Sequence, residues 1–348
     1  MRIAQVAPLH ESVPPQLYGG TERVVHVLTE QLVAMGHDVT LVASGDSVTS
    51  AKLLATCPRS LRLDPNCRDS LAWHQLQLAA VARRRAEFDI IHFHIDYLHF
   101  CLSRALGLRQ LTTLHGRLDL PELGPVYDEF SEMPLVSISD DQRKPLPQAN
   151  WQATVQHGLD ISRELFRERP EDYLAFVGRI SREKRPDRAV EIARAAGLKL
   201  KVAAKIDAAD REYYEREIAP LFSEPHVEFV GELEEEAKLR LMAGARALLM
   251  PIDWPEPFGL VVIESMACGT PVLAFRCGSM PEIIDEGVSG LLVNDMTEAV
   301  EATQRLIRLP REPVRATFER RFSGRRMAED YVALYQKLVE SRQRGRAA

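Results

Sequence analysis

At 348 residues, with 45% hydrophobic and 27% charged side chains, the chain is long enough for two domains that each bury a core. A formal net charge of −6 withholds electrostatic support from a nucleic-acid partner, and no apolar run approaches the ~20 residues that cross a bilayer. Five cysteines (Cys57, Cys67, Cys101, Cys268 and Cys277), odd in number and without a CxxC pair, point to reduced thiols in a cytoplasmic setting.

Residues 2–8 read as a strand from the outset, where a signal peptide would be basic and then apolar. Residues 21–35 have amphipathic-helix spacing, Gly36 is placed to end that helix in the left-handed region, and residues 37–43 return as a strand. The chain therefore opens with a βαβ unit. Between its first strand and helix lies Tyr18-Gly19-Gly20-Thr21-Glu22-Arg23. Two glycines there let a backbone approach a ligand, with Thr21 or Glu22 opening the helix; taken alone the loop serves equally as a tight turn. The third glycine of a dinucleotide-binding GxGxxG is absent.

Near-continuous apolar strands follow at 90–95, 111–114, 135–139 and 154–156, the character of parallel strands covered on both faces. His92 and His94 alternate along the first of these and share one face. With no third ligand at useful spacing they read as satisfied structural histidines rather than a metal pair. His115, in Leu114-His115-Gly116-Arg117, stands where a strand ends and can reach a sugar hydroxyl, although a lone histidine there is more often structural. Ser139-Asp140 and the stretch from His157 to Asp160 lie at later strand ends, on what reads as the acceptor side.

The polar, Arg-rich stretch 162–172 reads as a hinge linker. Beyond it strands recur at 174–177, 200–204, 227–230, 247–252 and 271–275, with a helix at 187–196 and others between. Such alternation implies doubly wound parallel sheets, whose ligands sit beyond the carboxyl ends of the strands. Arg179 and Lys184 lie at one such end, in Gly178-Arg179-Ile180-Ser181-Arg182-Glu183-Lys184-Arg185-Pro186, and two cations there suit a departing diphosphate. A Lys/Arg loop by itself is usually a solvated face. Lys205 ends the next strand, and Gly231-Glu232-Leu233 follows the one after.

Glu256-Pro257-Phe258-Gly259-Leu260-Val261-Val262-Ile263-Glu264 reads as the turn between a strand and an apolar helix at 260–268. Pro257 and Gly259 shape the turn and leave helix-start N–H groups for an anion. Glu256 before that site and Glu264 one turn inside the helix are spaced to hold hydroxyls on either side of a phosphate. A nucleotide-sugar has that layout.

With Pro-Phe-Gly-Leu inside it and Ala267-Cys268-Gly269-Thr270-Pro271-Val272 after it, this segment resembles the E-x7-E motif of retaining nucleotide-sugar glycosyltransferases of family 4, which have the GT-B fold. The resemblance runs from the Gly19-Gly20 loop to the C-terminal helix. Residues 12–20 and 205–214 are also similar to the avilamycin-pathway branch of that family. It implies two doubly wound, Rossmann-like α/β domains facing across a cleft. These would be an acceptor-side domain at 1–161, the linker 162–172, a nucleotide-sugar domain at 173–322, and a C-terminal helix at 323–348 crossing back to the first domain.

The resemblance also implies roles. Glu264 would hold the ribose and Glu256 the sugar hydroxyls, aided by the turn Pro257, Phe258, Gly259 and Leu260. Arg179, Lys184 and the Gly19-Gly20 loop would hold the diphosphate, with Lys205 in reach. Glu232 and Leu233 would seat the base, and His115 would face the sugar. His115, Glu256, Arg179 and Lys184 form the expected catalytic set. The family more often has glycine after the lysine, where this chain has Arg185-Pro186. Adjacent Asp140 and Asp141 make a poor clamp for a Mg²⁺–diphosphate, so neither a metal nor another cofactor is required and the nucleotide-sugar is a substrate. The expected activity is transfer of a hexose, with retention, from a nucleoside-diphosphate sugar (uridine ahead of guanosine) to a saccharide or natural-product acceptor. A phosphorylase or hydrolase of the same architecture and a non-catalytic nucleotide-sugar-binding protein are the rivals; an NAD-type oxidoreductase is disfavoured by the missing glycine. The tail arginines Arg342, Arg344 and Arg346 allow at most a weak peripheral contact with anionic lipid.

Overall fold

The computed structural model describes residues 1–16 and 19–347, with side chains up to residue 340. Tyr18 and the side chains of Arg342, Arg344 and Arg346 lie outside the described residues. The chain forms two compact units, Met1–Gly158 with Gly324–Ala348, and Leu159–Ser323.

The first unit is built on strands β1 (Arg2–Val6), β2 (Asp38–Ser44), β3 (Lys52–Cys57), β4 (Ile90–Phe93), β5 (Gln110–Thr113), β6 (Leu135–Ser137) and β7 (Trp151–Thr154). All pair in parallel in the order β3-β2-β1-β4-β5-β6-β7. The central strands are buried on both faces, as their apolar runs require. The first helix spans Gly20–Ala34, and Gly36 follows at φ 82°. Its N-cap is Gly19 with no side-chain hydrogen bond, so neither Thr21 nor Glu22 caps it; Glu22 is instead buried in the first turn. β3 and β7 depart from expectation. β3 has no counterpart in the sequence reading, and β7 begins three residues before the expected 154–156. Both are edge strands with partly exposed side chains, so neither carries a continuous apolar run.

The second unit has strands β8 (Tyr173–Arg179), β9 (Lys199–Lys205), β10 (Val227–Gly231), β11 (Ala247–Met250), β12 (Val272–Phe275) and β13 (Gly290–Val293), in the order β10-β9-β8-β11-β12-β13. One apolar cluster beneath this sheet joins Leu174, Val190, Leu200, Leu249, Leu273 and Leu306. Each such fully buried side chain stabilises the unit by about 1.5–3 kcal/mol. β13 is again an unexpected edge strand.

The stretch 162–172 is held within this second unit. Arg163 pairs with Glu312 and Glu319, Arg246 with Asp172, and the Phe166 ring lies against Gly269. The chain passes from one unit to the other at 158/159 and returns at 323/324. The C-terminal helix, Gly324–Ala347, belongs to the first unit. Its Tyr331 and Tyr335 are buried there, bonded to Thr113, Gln5 and His92. Among the described residues no helix is long and apolar enough to cross a membrane.

In each sheet the strand order reverses once, between β1 and β4 and between β8 and β11. Such reversals open a crevice at the carboxyl ends of the strands, which positions the candidate residues.

Candidate active site

In the second unit the expected residues converge on the reversal between β8 and β11. Arg179 and Lys205 are the last residues of β8 and β9 and are register partners, so two cations stand side by side. The loop after β8 is tied to the loop after β11 by a backbone bond, Asp253 N–H to Glu183 O at 2.9 Å. Across that junction Lys184 Nζ is paired with the Glu256 carboxylate, and both side chains are largely buried. Trp254 joins them. Its Nε1–H donates to Glu256 Oε2 at 3.1 Å, and Lys184 Nζ sits 5.1 Å from its ring centroid.

Every cation of this cluster is matched by an acid. Arg179 pairs with Glu183 and lies 3.6 Å from Asp210 and 3.8 Å from Asp207, while Lys205 pairs with Asp207 at 2.9 Å. Arg185, where the resembling family more often has glycine, adopts φ 52° and ψ 56°. That left-handed conformation costs a residue with a Cβ about 1–2 kcal/mol, which explains the glycine preference. Here bonds from its guanidinium to Asp187 and Asp253 hold the conformation.

Gly259 is the N-cap of the helix Leu260–Ala267 at φ 87°, and no side chain caps the first turn. A Cβ at Gly259 would come within 2.9 Å of Met280 Cε. The loop after β12 supports the turn from behind. Ser279 N–H donates to Glu256 O at 3.0 Å and Ser279 Oγ to Phe258 O at 2.8 Å. Gly278 lies so close that a Cβ would meet Glu256 N at 2.4 Å. Glu264 is only 2% exposed, and Lys238 Nζ bonds to both its oxygens at 2.9 Å. Glu232 and Leu233 follow β10, two strands from β8 and outside this ion-paired cluster.

Gly19, Gly20 and His115 belong to the first unit. A Cβ on Gly19 would stand 2.7 Å from Pro15 Cβ, so that glycine already has a packing reason within its own loop. His115 follows β5, and burial pushes its imidazole down to about 3. His115 Nε2 is 2.9 Å from His94 Nδ1, and its ring stacks on His157 with centroids 5.2 Å apart. His92 bonds to Tyr335 and to Thr113 at 2.7 Å each, so the histidines of β4 are hydrogen-bonded members of the core. Ser139 accepts from Gln142 N–H and Asp140 from Thr154, local bonds that brace the loop after β6.

Four participants escaped the sequence reading. Trp254 stood two residues before Glu256, between the expected strand 247–252 and the motif. Cys277-Gly278-Ser279-Met280-Pro281 follows a strand, the place where ligands of such sheets are sought. Lys238 offered no signal, since a lysine on an exposed-looking helix reads as solvated. Gln5 in the middle of β1 offered none either.

Residues 160–321 match the family described as "Glycosyl transferases group 1", and residues 18–158 match "Glycosyltransferase Family 4". A glycogen synthase of Mycobacterium tuberculosis is 24% identical over 92% of each chain. Among solved structures, AviGT4, a glycosyltransferase involved in avilamycin A biosynthesis, superposes with TM-score 0.74 at 24% identity over 98% of each chain. The Anabaena protein Alr3699/HepE, solved in complex with UDP and glucose, gives 0.69 at 19% identity over 99% of each chain.

Proposed function

The chain belongs to the group 1, family 4 glycosyltransferases of GT-B fold, retaining enzymes that use nucleotide-sugar donors, and from that premise we propose that it moves a hexose from a UDP-sugar to a hydroxyl of a saccharide or natural-product acceptor. The observation that carries this reading is the tie across the β8/β11 reversal. Lys184, Glu256 and Trp254 meet there beside an uncapped helix start, with Arg179 and Lys205 on adjacent strand ends. Uridine is favoured because the Anabaena relative was solved with UDP and glucose.

In this reading the diphosphate takes Arg179 and Lys184 from their carboxylate partners and meets the N–H groups at Leu260. Glu256, released from Lys184, turns to the sugar hydroxyls, and Glu264 serves the ribose from its fixed place against Lys238. As the glycosidic C–O bond breaks, negative charge grows on the leaving phosphate, where preorganised cations and N–H dipoles stabilise it most. The acceptor oxygen bonds to the anomeric carbon on the face that the phosphate leaves, and its proton passes to a phosphate oxygen. The residues supply the charge stabilisation that a metal would otherwise give.

The test is a thermal-shift panel of UDP, GDP, ADP and dTDP with their common sugar conjugates, and NAD as control, followed by nucleotide-release assays with mono- and disaccharide acceptors. A selective rise in melting temperature with UDP and its sugars is expected, because a ligand bound only to the native state stabilises by mass action. A shift confined to another nucleotide overturns the uridine assignment, and one confined to NAD overturns the transferase. Transfer to inorganic phosphate or water in preference to sugar hydroxyls would make the enzyme a phosphorylase or hydrolase.

A further inference from the structure

An unbroken chain of buried side chains leads from the C-terminal helix to His115. Gln5 Nε2 donates to Tyr335 OH at 3.0 Å, Gln5 Oε1 is 2.8 Å from His94 Nε2, and His94 Nδ1 is 2.9 Å from His115 Nε2. Gln5, His94 and Tyr335 are 0%, 3% and 0% exposed, so water does not compete for these bonds. Gln5 lies on β1 and His94 follows β4, so the chain spans the point where the strand order of this sheet reverses.

The bonds have a direction. A neutral imidazole carries one N–H and one bare nitrogen. The Gln5 carbonyl only accepts, so His94 holds its proton on Nε2 and its Nδ1 is bare. A bare Nδ1 only accepts, so His115 holds its proton on Nε2 and its own Nδ1 is bare. Turning the amide over would reverse each bond and place an N–H on His115 Nδ1. That atom is enclosed and has no hydrogen-bond partner among the described residues. A buried donor without an acceptor costs about 1–3 kcal/mol and is the rarer defect, so the packing at Nδ1 favours the same polarity as the amide.

We propose that Gln5, through His94 and anchored by Tyr335, is a positioning residue that holds His115, a member of the expected catalytic set, in the Nε2–H tautomer with its Nδ1 bare. Tyr335, 220 residues further along the chain than His115, thereby sets the state of that imidazole without touching it.

The experiment uses the full chain labelled with ¹⁵N-histidine. Long-range ¹H–¹⁵N correlations report the tautomer of each imidazole without any ligand, and the His115 signals are those lost in His115→Gln. The wild-type protein is expected to show His115 neutral and protonated at Nε2, with Gln5→Leu and Tyr335→Phe giving mixed tautomers. A wild-type His115 protonated at Nδ1, or a pattern unchanged in the variants, overturns the proposal. Should Gln5→Leu fail to fold, Tyr335→Phe removes one oxygen only and decides the matter.

Discussion

The two units answer the same topological problem with opposite chemistry. Both sheets reverse their strand order once, and each reversal gathers polar side chains, at the strand ends in the second unit and within the strands in the first. At the β8/β11 reversal those side chains are charged and paired: Lys184 with Glu256, Arg179 with Glu183, Lys205 with Asp207. At the β1/β4 reversal they are an amide, phenols and imidazoles held neutral by burial. Ion pairs that are partly solvated can exchange one anion for another at little cost. A buried neutral network cannot follow a charge but fixes orientation.

Acid should separate the two kinds of chemistry most widely. In an unfolded chain imidazoles titrate near ~6.5. In the first unit His99 and His115 are pushed down to about 3 by burial, and His92, His94 and His157 lie well below the ordinary value for the same reason. Between these limits the unfolded state binds more protons. Stability is therefore full above ~6.5 and is lost progressively as the pH falls toward 3. The carboxyls of Glu22 and Asp96, raised by desolvation, oppose this, Asp96 only below about 6. Melting curves should fall steadily from pH 7 to pH 4, and a flat profile would break the contrast.

Lys184→Ala should come next, with a loss of about 10²–10³ in turnover, the usual cost of deleting one group that stabilises developing charge. Near-normal turnover in a steady-state assay would remove Lys184 from the charged site. Glu264 tests whether an acid at this reversal can also be structural. Its carboxylate is buried, so Glu264→Ala leaves Lys238 Nζ without its acceptor and should lower stability by about 1.5–3 kcal/mol, whereas Glu264→Gln should lose less stability. Urea titrations of both variants distinguish a binding role from a folding one. Trp254→Phe keeps a ring under Lys184 and deletes only the N–H to Glu256. We expect a loss of about 0.5–1.5 kcal/mol in transition-state stabilisation, read from kcat/KM. Arg185→Gly should change least. It relieves about 1–2 kcal/mol of left-handed backbone cost. It also gives up partly exposed bonds to Asp187 and Asp253, so urea midpoints should shift little in either direction.

Much of the fold was legible because buried parallel strands are continuous apolar runs, and the helices between them have their own period. The edge strands β3 and β7 were missed or misplaced for the converse reason: half-exposed residues carry no such run. Among the candidate residues, Arg179, Lys184, Lys205 and the turn from Glu256 to Leu260 were legible because a chain-order rule places strand ends beside ligands. The capping roles of Thr21 and Glu22 were misread, since a helix start depends on the path of the incoming loop as well as on residue type.

The sequence alone determined that two doubly wound units exist and where most of their strand ends fall, because periodicity and local spacing are properties of neighbours in the chain. Which acid holds which cation, why Glu264 is buried against Lys238, and how Tyr335 reaches His115 through Gln5 and His94 were decided by the tertiary structure. Lys238 and Glu264, Lys184 and Glu256, and Gln5 and Tyr335 stand 26, 72 and 330 residues apart, and only the tertiary fold brings their hydrogen-bonding atoms within about 3 Å.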